Sequence, residues 1–371
     1  MPRSLWLSLA ALCLSAILAL WWILAPHELK ADRQLELSFT HEGQHLSGSL
    51  LLPAGPGPHP VVLFVHGDGP QDRGLDRYTL VMNAFLKAGI ACFSWDKPGT
   101  GKSRDEGQGG WMGQTMRQRA DEAAVAVELL VQRPDVDPKG VGLIGFSQGA
   151  WVLAEAAQWQ SRAPAFLITV GGAVDWASQG EYFARQRLQR QGIADAAAEE
   201  VLAWQQGAPQ ADLALSQADY LQALAIYTRV KPPPSGANSE PLPRDRYRFV
   251  ALNRQADVSK GLLLAQVPFL AVWGEQDLNV DAMVSAQRYA QLLHAGPIDQ
   301  SAQVLVQQHH AVKVFPGATH QLLDASRYQT QVPEDWTWGM SMRYLWEGEA
   351  AFASGYLLLL PEWTLAQLRR R

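Results

Sequence analysis

Ser147 sits at the centre of Gly145-Phe146-Ser147-Gln148-Gly149, directly after the apolar run Val-Gly-Leu-Ile-Gly-Phe and before a stretch with helical spacing from about Gly149 to Gln160. A serine between two glycines at a strand-to-helix turn is a candidate nucleophile elbow. Side chains at the glycine positions would crowd the neighbouring strand and helix, and the strained turn holds the hydroxyl clear of the sheet. The helix N-terminus that follows, with unpaired N–H groups and partial positive charge, favours negative charge developing there. A serine hydroxyl is a poor nucleophile until a base takes its proton, and the base needs a third group to fix its tautomer. In a strand–turn–helix setting the partners follow in the order serine, acid, histidine. Asp277 lies just past the apolar run Val-Pro-Phe-Leu-Ala-Val-Trp, and His320 follows the last apolar run, Ala-Val-Lys-Val-Phe. Asp175, shortly after the apolar run at 165–170, is the rival acid. Among the other histidines, His41 and His45 flank a turn, while His294, His309 and His310 lie in a polar stretch, so none competes with His320.

Acyl transfer also needs donors aimed at the oxyanion of a tetrahedral intermediate. The backbone N–H of Gln148, next after the nucleophile, supplies one. The loop His-Gly-Asp-Gly-Pro-Gln-Asp-Arg-Gly at 66–74 supplies the other, assigned to the Asp68 N–H with Gly67 close behind. His66 is expected to shape this turn, and Asp72 and Arg73 to pair within the loop. A second glycine-rich stretch, Asp-Lys-Pro-Gly-Thr-Gly-Lys-Ser at 96–103, ends in the letters that close a phosphate-binding loop. Such a loop needs a glycine five residues before Gly101, and this chain has Asp96 there, whose carboxylate is the wrong charge and shape for a phosphate site.

These groups must be positioned by the elements around them. The runs at 35–41 and 45–52 read as an opening hairpin around Glu-Gly-Gln, and Pro/Gly content makes 53–60 a loop. Continuous apolar runs at 61–65, 90–95, 141–146, 165–170 and 268–273 alternate with helical periodicity at 78–89 and within 115–132. Continuous rather than alternating apolar runs are typical of strands buried on both faces of a parallel sheet. The expected architecture is therefore a doubly wound, mostly parallel α/β sheet. Residues 175–260 break the alternation with helical spacing and no buried strand, which suggests an inserted helical cap between the two parts of the main domain, 31–174 and 261–371.

The chain of 371 residues is 47% hydrophobic and 18% charged, enough to bury a large core. A net charge of -5 and the lack of a basic stripe interleaved with aromatics argue against a nucleic-acid partner. Cys13 and Cys92 form neither a plausible disulfide nor a metal-binding cluster. Ser4–Ala25 is uncharged and long enough for a membrane-spanning helix, so residues 1–30 are expected to be an N-terminal anchor. Pro26 follows, no Ala-x-Ala site is present, and Trp21 and Trp22 suit a membrane–water interface, against the alternative of a cleaved signal peptide and a secreted product. Arg3 and the amino terminus favour a cytoplasmic start, with the body outside the cytoplasm and periplasmic in a Gram-negative cell; Lys30 and Arg33 weaken that vote. Trp336, Trp338, Trp346 and Trp363 in the tail are expected to pack in the core or against the cap, with membrane-surface contact as the alternative.

Taken together, His-Gly-Asp-Gly-Pro-Gln-Asp-Arg-Gly, Asp-Lys-Pro-Gly-Thr-Gly-Lys-Ser, Gly-Phe-Ser-Gln-Gly, Gly-Glu-Gln-Asp and Gly-Ala-Thr-His resemble the α/β-hydrolase superfamily. Within it, the chain is similar to bacterial serine esterases and peptidase-like hydrolases with a His-Gly-x-Gly-Pro-Gln-Asp-Arg loop, over about residues 35–325. The resemblance implies that 96–103 is a structural loop beside the active site, with Lys102 solvated. It also implies a serine hydrolase that cleaves a carboxylic ester of a small acyl substrate, with a peptidase acting on a short peptide, or a thioesterase, of the same triad as the alternative, and without metal or organic cofactor. Departures from the family pattern are the long interval from Asp277 to His320 and the tryptophan-rich tail. A catalytically silent binding or scaffold protein is the alternative from another class.

Overall fold

A computed structural model describes residues 14–15, 23–74, 76–105, 107, 109–159, 163–192, 244–301 and 307–371. Its strands are β1 (Arg33–His41), β2 (Gln44–Leu52), β3 (His59–Val65), β4 (Ala91–Trp95), β5 (Val136–Phe146), β6 (Leu167–Val170), β7 (Phe269–Gly274) and β8 (His310–Phe315). They form one 8-stranded sheet in the order β1-β2-β4-β3-β5-β6-β7-β8. The opening hairpin pairs antiparallel, β2 pairs antiparallel with β4, and the other neighbours are parallel.

Helices cover both faces of this sheet, which explains the unbroken apolar runs. In β3, Val61, Leu63 and Val65 join the core beneath α2 (Met116–Val131) and α3 (Gly149–Ala156). Val62 and Phe64 face the opposite core, shared with α1 (Asp76–Lys87) and the tail helix. Alternate side chains of a strand point to opposite faces, so each face needs its own apolar partners. Burying each such side chain stabilises the fold by about 1.5–3 kcal/mol.

The structure extends β5 back to Val136 and starts β3 at His59, inside the stretch expected to be loop. His59 N donates to Asp135 O at 3.0 Å, so pairing with the adjacent chain draws these residues into the sheet. Helix α3 ends at Ala156, short of Gln160.

Between β6 and β7 the described residues form α4 (Trp176–Arg190), α5 (Arg244–Asn253) and α6 (Ser259–Leu264). The two ends of this excursion are stitched together, with Trp176 N donating to Ala256 O at 3.0 Å and Val258 N to Val174 O at 2.9 Å. After β7 come α7 (Ala282–Leu292) and β8, and the tail adds α8 (Trp338–Glu347) and α9 (Tyr356–Leu368). The tail tryptophans divide. Trp363 is fully buried and Trp336 stacks on Tyr328, whereas Trp338 and Trp346 are exposed on α8. The expected anchor at 4–25 lies almost entirely outside the described residues, among which no helix is long and apolar enough to cross a membrane.

Candidate active site

At the end of β5 the chain turns into α3 through Ser147, a non-glycine residue with φ 51. That left-handed conformation is strained for an L-residue and clusters at functional sites. Two contacts keep it there: Ser147 N donates to Val170 O at 2.7 Å and Ala150 N to Ser147 O at 2.9 Å. A Cβ on Gly145 would lie 2.7 Å from Gly149 O, and one on Gly149 2.7 Å from Val65 O. Both obstacles are backbone, so the glycines are required by the close approach of β3, β5 and α3.

Asp277 and His320 are brought together. His320 Nδ1 lies 2.6 Å from Asp277 Oδ2, and the Asp277 side chain is fully enclosed. The other carboxylate oxygen accepts the N–H groups of Asn279 at 2.7 Å and Val280 at 2.9 Å. A carboxylate oxygen accepts, so Nδ1–H donates in this contact and Nε2 is the ring nitrogen left to act on a proton. The imidazole rests on Gly171, where an added Cβ would come 2.9 Å from its Cε1. Gly171 follows Val170, the residue that accepts the Ser147 N–H, so histidine and serine both lie against the C-terminal end of β6. The Ser147 hydroxyl makes no hydrogen bond to a described residue.

Asp175, the rival acid, does something else. It is the N-cap of α4, accepting from Ser178 N at 2.8 Å and from Ser178 Oγ at 2.7 Å. Its position after β6 satisfied the order rule, but its carboxylate is used up in starting a helix.

The loop after β3 lies against the elbow: a Cβ on Gly67 would be 3.4 Å from Ser147 Cβ. Every acceptor in this loop from 67 to 69 is occupied. Buried Lys97 donates to Gly67 O and, at 2.9 Å, to Gly69 O. Gln71 Nε2 donates to Asp68 O at 2.5 Å. Arg246 of α5 grips both oxygens of Asp68, at 2.7 and 2.6 Å. Burial tends to raise the Asp68 carboxyl, but the Arg246 guanidinium outweighs it and holds the group down to about 2. Among the described residues, by contrast, no acceptor takes the backbone N–H of Gly67, Asp68 or Gln148. Buried unpaired N–H groups are rare and costly.

Sequence reasoning missed the residue that ties the two arms together. Arg119 of α2 is buried, donating to Gln148 Oε1 at 3.1 Å and to His66 O at 2.6 Å. Burial lowers its affinity for the proton and Glu122, one turn on, opposes that shift. Burial conversely raises the Glu122 carboxyl, which is steadied by Gln114 Nε2 at 2.7 Å and Trp95 Nε1 at 2.5 Å. The available signal was a charged pair, Arg119 and Glu122, among the apolar positions 116, 120, 123, 126 and 127 of the same helix face. His66 shapes the turn as expected, its Nε2 against Trp95 O at 2.8 Å. Arg73 does not pair with Asp72; it reaches Glu36 at 2.9 Å and Asp96 at 3.5 Å, while Asp72 accepts from Gly74 N at 2.8 Å. Asp96 explains the loop at 96–103: its Oδ1 and Oδ2 take the N–H groups of Arg73 and Lys102 at 2.8 and 2.7 Å, and it holds that loop beside the site. Lys102 is solvated, at 71% exposure.

Residues 62–332 match the family model described as alpha/beta hydrolase family. The chain belongs to the alpha/beta hydrolase family. The structure is similar to that of Est1E from Butyrivibrio proteoclasticus with ferulic acid bound, at 16% identity over 90% of this chain and 99% of that one, with a TM-score of 0.51. It is also similar to the Pyrococcus furiosus esterase Pf2001, at 16% identity over 85% of this chain and 92% of that one, with a TM-score of 0.48. A third similar structure is the 2,6-dihydroxy-pseudo-oxynicotine hydrolase, at 15% identity over 87% of this chain and 71% of that one, with a TM-score of 0.47. No curated protein sequence matches the chain. As an alpha/beta hydrolase, the protein carries its candidate groups where open α/β sheets place them, on loops at the carboxyl ends of the parallel strands.

Proposed function

We propose that this alpha/beta hydrolase is a serine hydrolase that cleaves a carboxylic ester of a small acyl substrate through an acyl-enzyme. The carrying observation is the 2.6 Å contact between His320 Nδ1 and the enclosed Asp277, beside a serine held at φ 51. On substrate binding, the Ser147 side chain rotates to donate to His320 Nε2, since hydrogen bonds of this kind tighten in the complex. Ser147 Oγ attacks the ester carbonyl carbon and its proton passes to Nε2. The Asp277 carboxylate orients the ring and stabilises the imidazolium without itself taking the proton.

Negative charge on the former carbonyl oxygen is met by the N–H groups of Gln148 and Asp68, with Gly67 beside them. Losing one such donor typically costs roughly 10²–10³-fold in kcat. The tetrahedral adduct collapses, the C–O bond to the alcohol breaks, and the alcohol leaves with the proton from His320. Water then adds to the acyl-enzyme with the same base, releasing the acid and restoring Ser147.

Residues 175–260, of which 193–243 lie outside the described residues, are assigned as the cap over a core of 31–174 and 261–371, a division supported by the stitched ends near 174 and 258. Residues 1–30, by their uncharged run, anchor the enzyme with its catalytic body outside the cytoplasm. A fluorophosphonate probe tests the mechanism. Wild type is expected to label and Ser147→Ala is not; an unlabelled wild type would instead support a silent binding protein. Short acyl esters are expected to turn over faster than thioesters or aminoacyl amides, and the opposite ranking would reassign the leaving group.

A further inference from the structure

Four groups hold the oxyanion loop, and they differ in origin. Gln71 belongs to the loop itself, Lys97 comes from the neighbouring 96–103 loop and Arg119 from α2. Arg246 comes from α5, in the excursion between β6 and β7 and 178 residues away in sequence from Asp68. It acts on the side chain of Asp68, whose N–H is assigned to the oxyanion, as Arg119 acts on that of Gln148, the other assigned donor. The grip is bidentate, and the same Asp68 oxygen that meets Arg246 Nη1 also accepts from Gly69 N at 2.8 Å. The carboxylate therefore links the guanidinium to the loop backbone and limits rotation of the peptides flanking Asp68.

Helix α5 is itself firmly seated. At its far end Asn253 is buried, accepting from Met116 N at 2.9 Å and donating to Gln114 O at 3.0 Å. Gln114 in turn contacts Glu122 at 2.7 Å, the carboxylate facing Arg119. Between those anchors Phe249 is fully buried against Trp111 and Trp176, and the Arg246 guanidinium lies 5.2 Å from the Phe249 ring centroid. One ten-residue helix thus holds Asp68 near its start and, at its end, the 114–116 segment that leads into α2, the helix of Arg119.

Resting on the serine-hydrolase reading, we infer that Arg246 is a positioning residue for the oxyanion hole: its bidentate hold on Asp68 aims the Asp68 N–H, so acylation requires α5 to be seated on the core. The role is geometric rather than a matter of charge alone. Lysine, a point charge without the planar fork, cannot reproduce it. The pair is partly exposed, 27% for Arg246 and 40% for Asp68, so dissolved salt and small cations can reach it.

The test uses the full chain with a short acyl ester and with a fluorophosphonate probe, comparing wild type, Arg246→Ala, Arg246→Lys, Asp68→Asn and the double variant Arg246→Ala/Asp68→Asn. Arg246→Ala is expected to slow acylation about tenfold or more with KM nearly unchanged, since a misaimed donor is lost from the transition state. Lysine is expected to restore little, added guanidinium to restore part of the rate, and the double variant to be no slower than the worse single variant, because both remove one clamp. Thermal melts separate this from unfolding: the single variants should melt close to wild type. Unchanged acylation in a folded Arg246→Ala, a loss confined to KM, or losses that multiply in the double variant would each overturn the inference. A wild type that does not label would overturn the hydrolase reading itself, whereas equal labelling of wild type and Arg246→Ala removes this inference alone.

Discussion

The two arms of the proposed oxyanion site are held in different ways. The elbow arm, Gly145–Gly149, is held by backbone: its glycines admit carbonyls that would lie 2.7 Å from an added Cβ, and its serine is kept at φ 51 by short hydrogen bonds on either side. The loop arm, His66–Gly69, is held by side chains reaching in from Lys97, Arg119 and Arg246, at sequence separations of 30, 53 and 178. Backbone crowding is stiff, local and insensitive to charge. A clamp of cations is adjustable and long-range, and each member can be removed singly. Strain therefore sits at the proposed nucleophile, and electrostatic holding at the donors proposed to meet a passing charge.

Replacement of the strained residue breaks the elbow most severely. Ser147→Gly is expected to lower kcat by roughly 10⁶-fold, as loss of a serine nucleophile does. At the same time it should raise stability by about 1 kcal/mol, because glycine adopts positive φ without strain. A urea titration alongside the ester assay checks both, and a less stable variant would mean the turn is not strained.

On the loop arm, Arg119→Met removes the positive charge that offsets buried Glu122 and leaves His66 O and Gln148 Oε1 without their donor. The expected cost is about 3 kcal/mol in stability, as two buried acceptors lose a charged donor, and about 10² in kcat. Adding Glu122→Gln should recover part of the stability but not the rate; recovery of both would show that the arginine supports only the core.

Gly149→Ala sharpens the contrast, because the new Cβ would meet the Val65 carbonyl rather than a movable side chain. A loss of about 1–3 kcal/mol is expected in denaturant midpoints, with kcat falling as the turn shifts. Asp175→Ala should cost about 1 kcal/mol as a lost N-cap, with turnover close to wild type; a large drop in kcat there would return it to candidacy as the acid.

The smallest expected effect is on pH dependence. Asp68 is held down to about 2 against an ordinary value of 3.8, so its contribution to stability is complete above the ordinary value and fades only as pH falls towards about 2. Between pH 9 and 5 the Arg246–Asp68 contact should thus add no slope to stability, which melts of wild type and Asp68→Asn across that range will check.

Much of this was legible beforehand because it depends on local rules. Glycine spacing around Ser147, continuous apolar runs for strands covered on both faces, and the placement of Asp277 and His320 after successive strands all follow from short stretches read alone. Asp175 shows the limit of the order rule: two aspartates followed strands, and only the three-dimensional arrangement separates a helix cap from the partner of His320. Arg73 was assigned to Asp72 by nearness in sequence, yet Glu36 of β1 and Asp96 lie closer to its guanidinium once the sheet has formed. The end of α3 at Ala156 and the start of β3 at His59 were misjudged because element ends are set by whichever neighbour completes the backbone hydrogen bonds.

The sequence by itself determined the nucleophile turn, the parallel sheet and the likeness to hydrolases, since each rests on residue types within a few positions of one another. Tertiary structure alone decided which carboxylate meets His320, how Arg119 spans the two arms, and that Arg246 reaches Asp68. Those contacts join residues whose separation along the chain carries no signal. They exist because folding buries charges that must then find partners, and the choice of partner depends on distance in space rather than order in the chain.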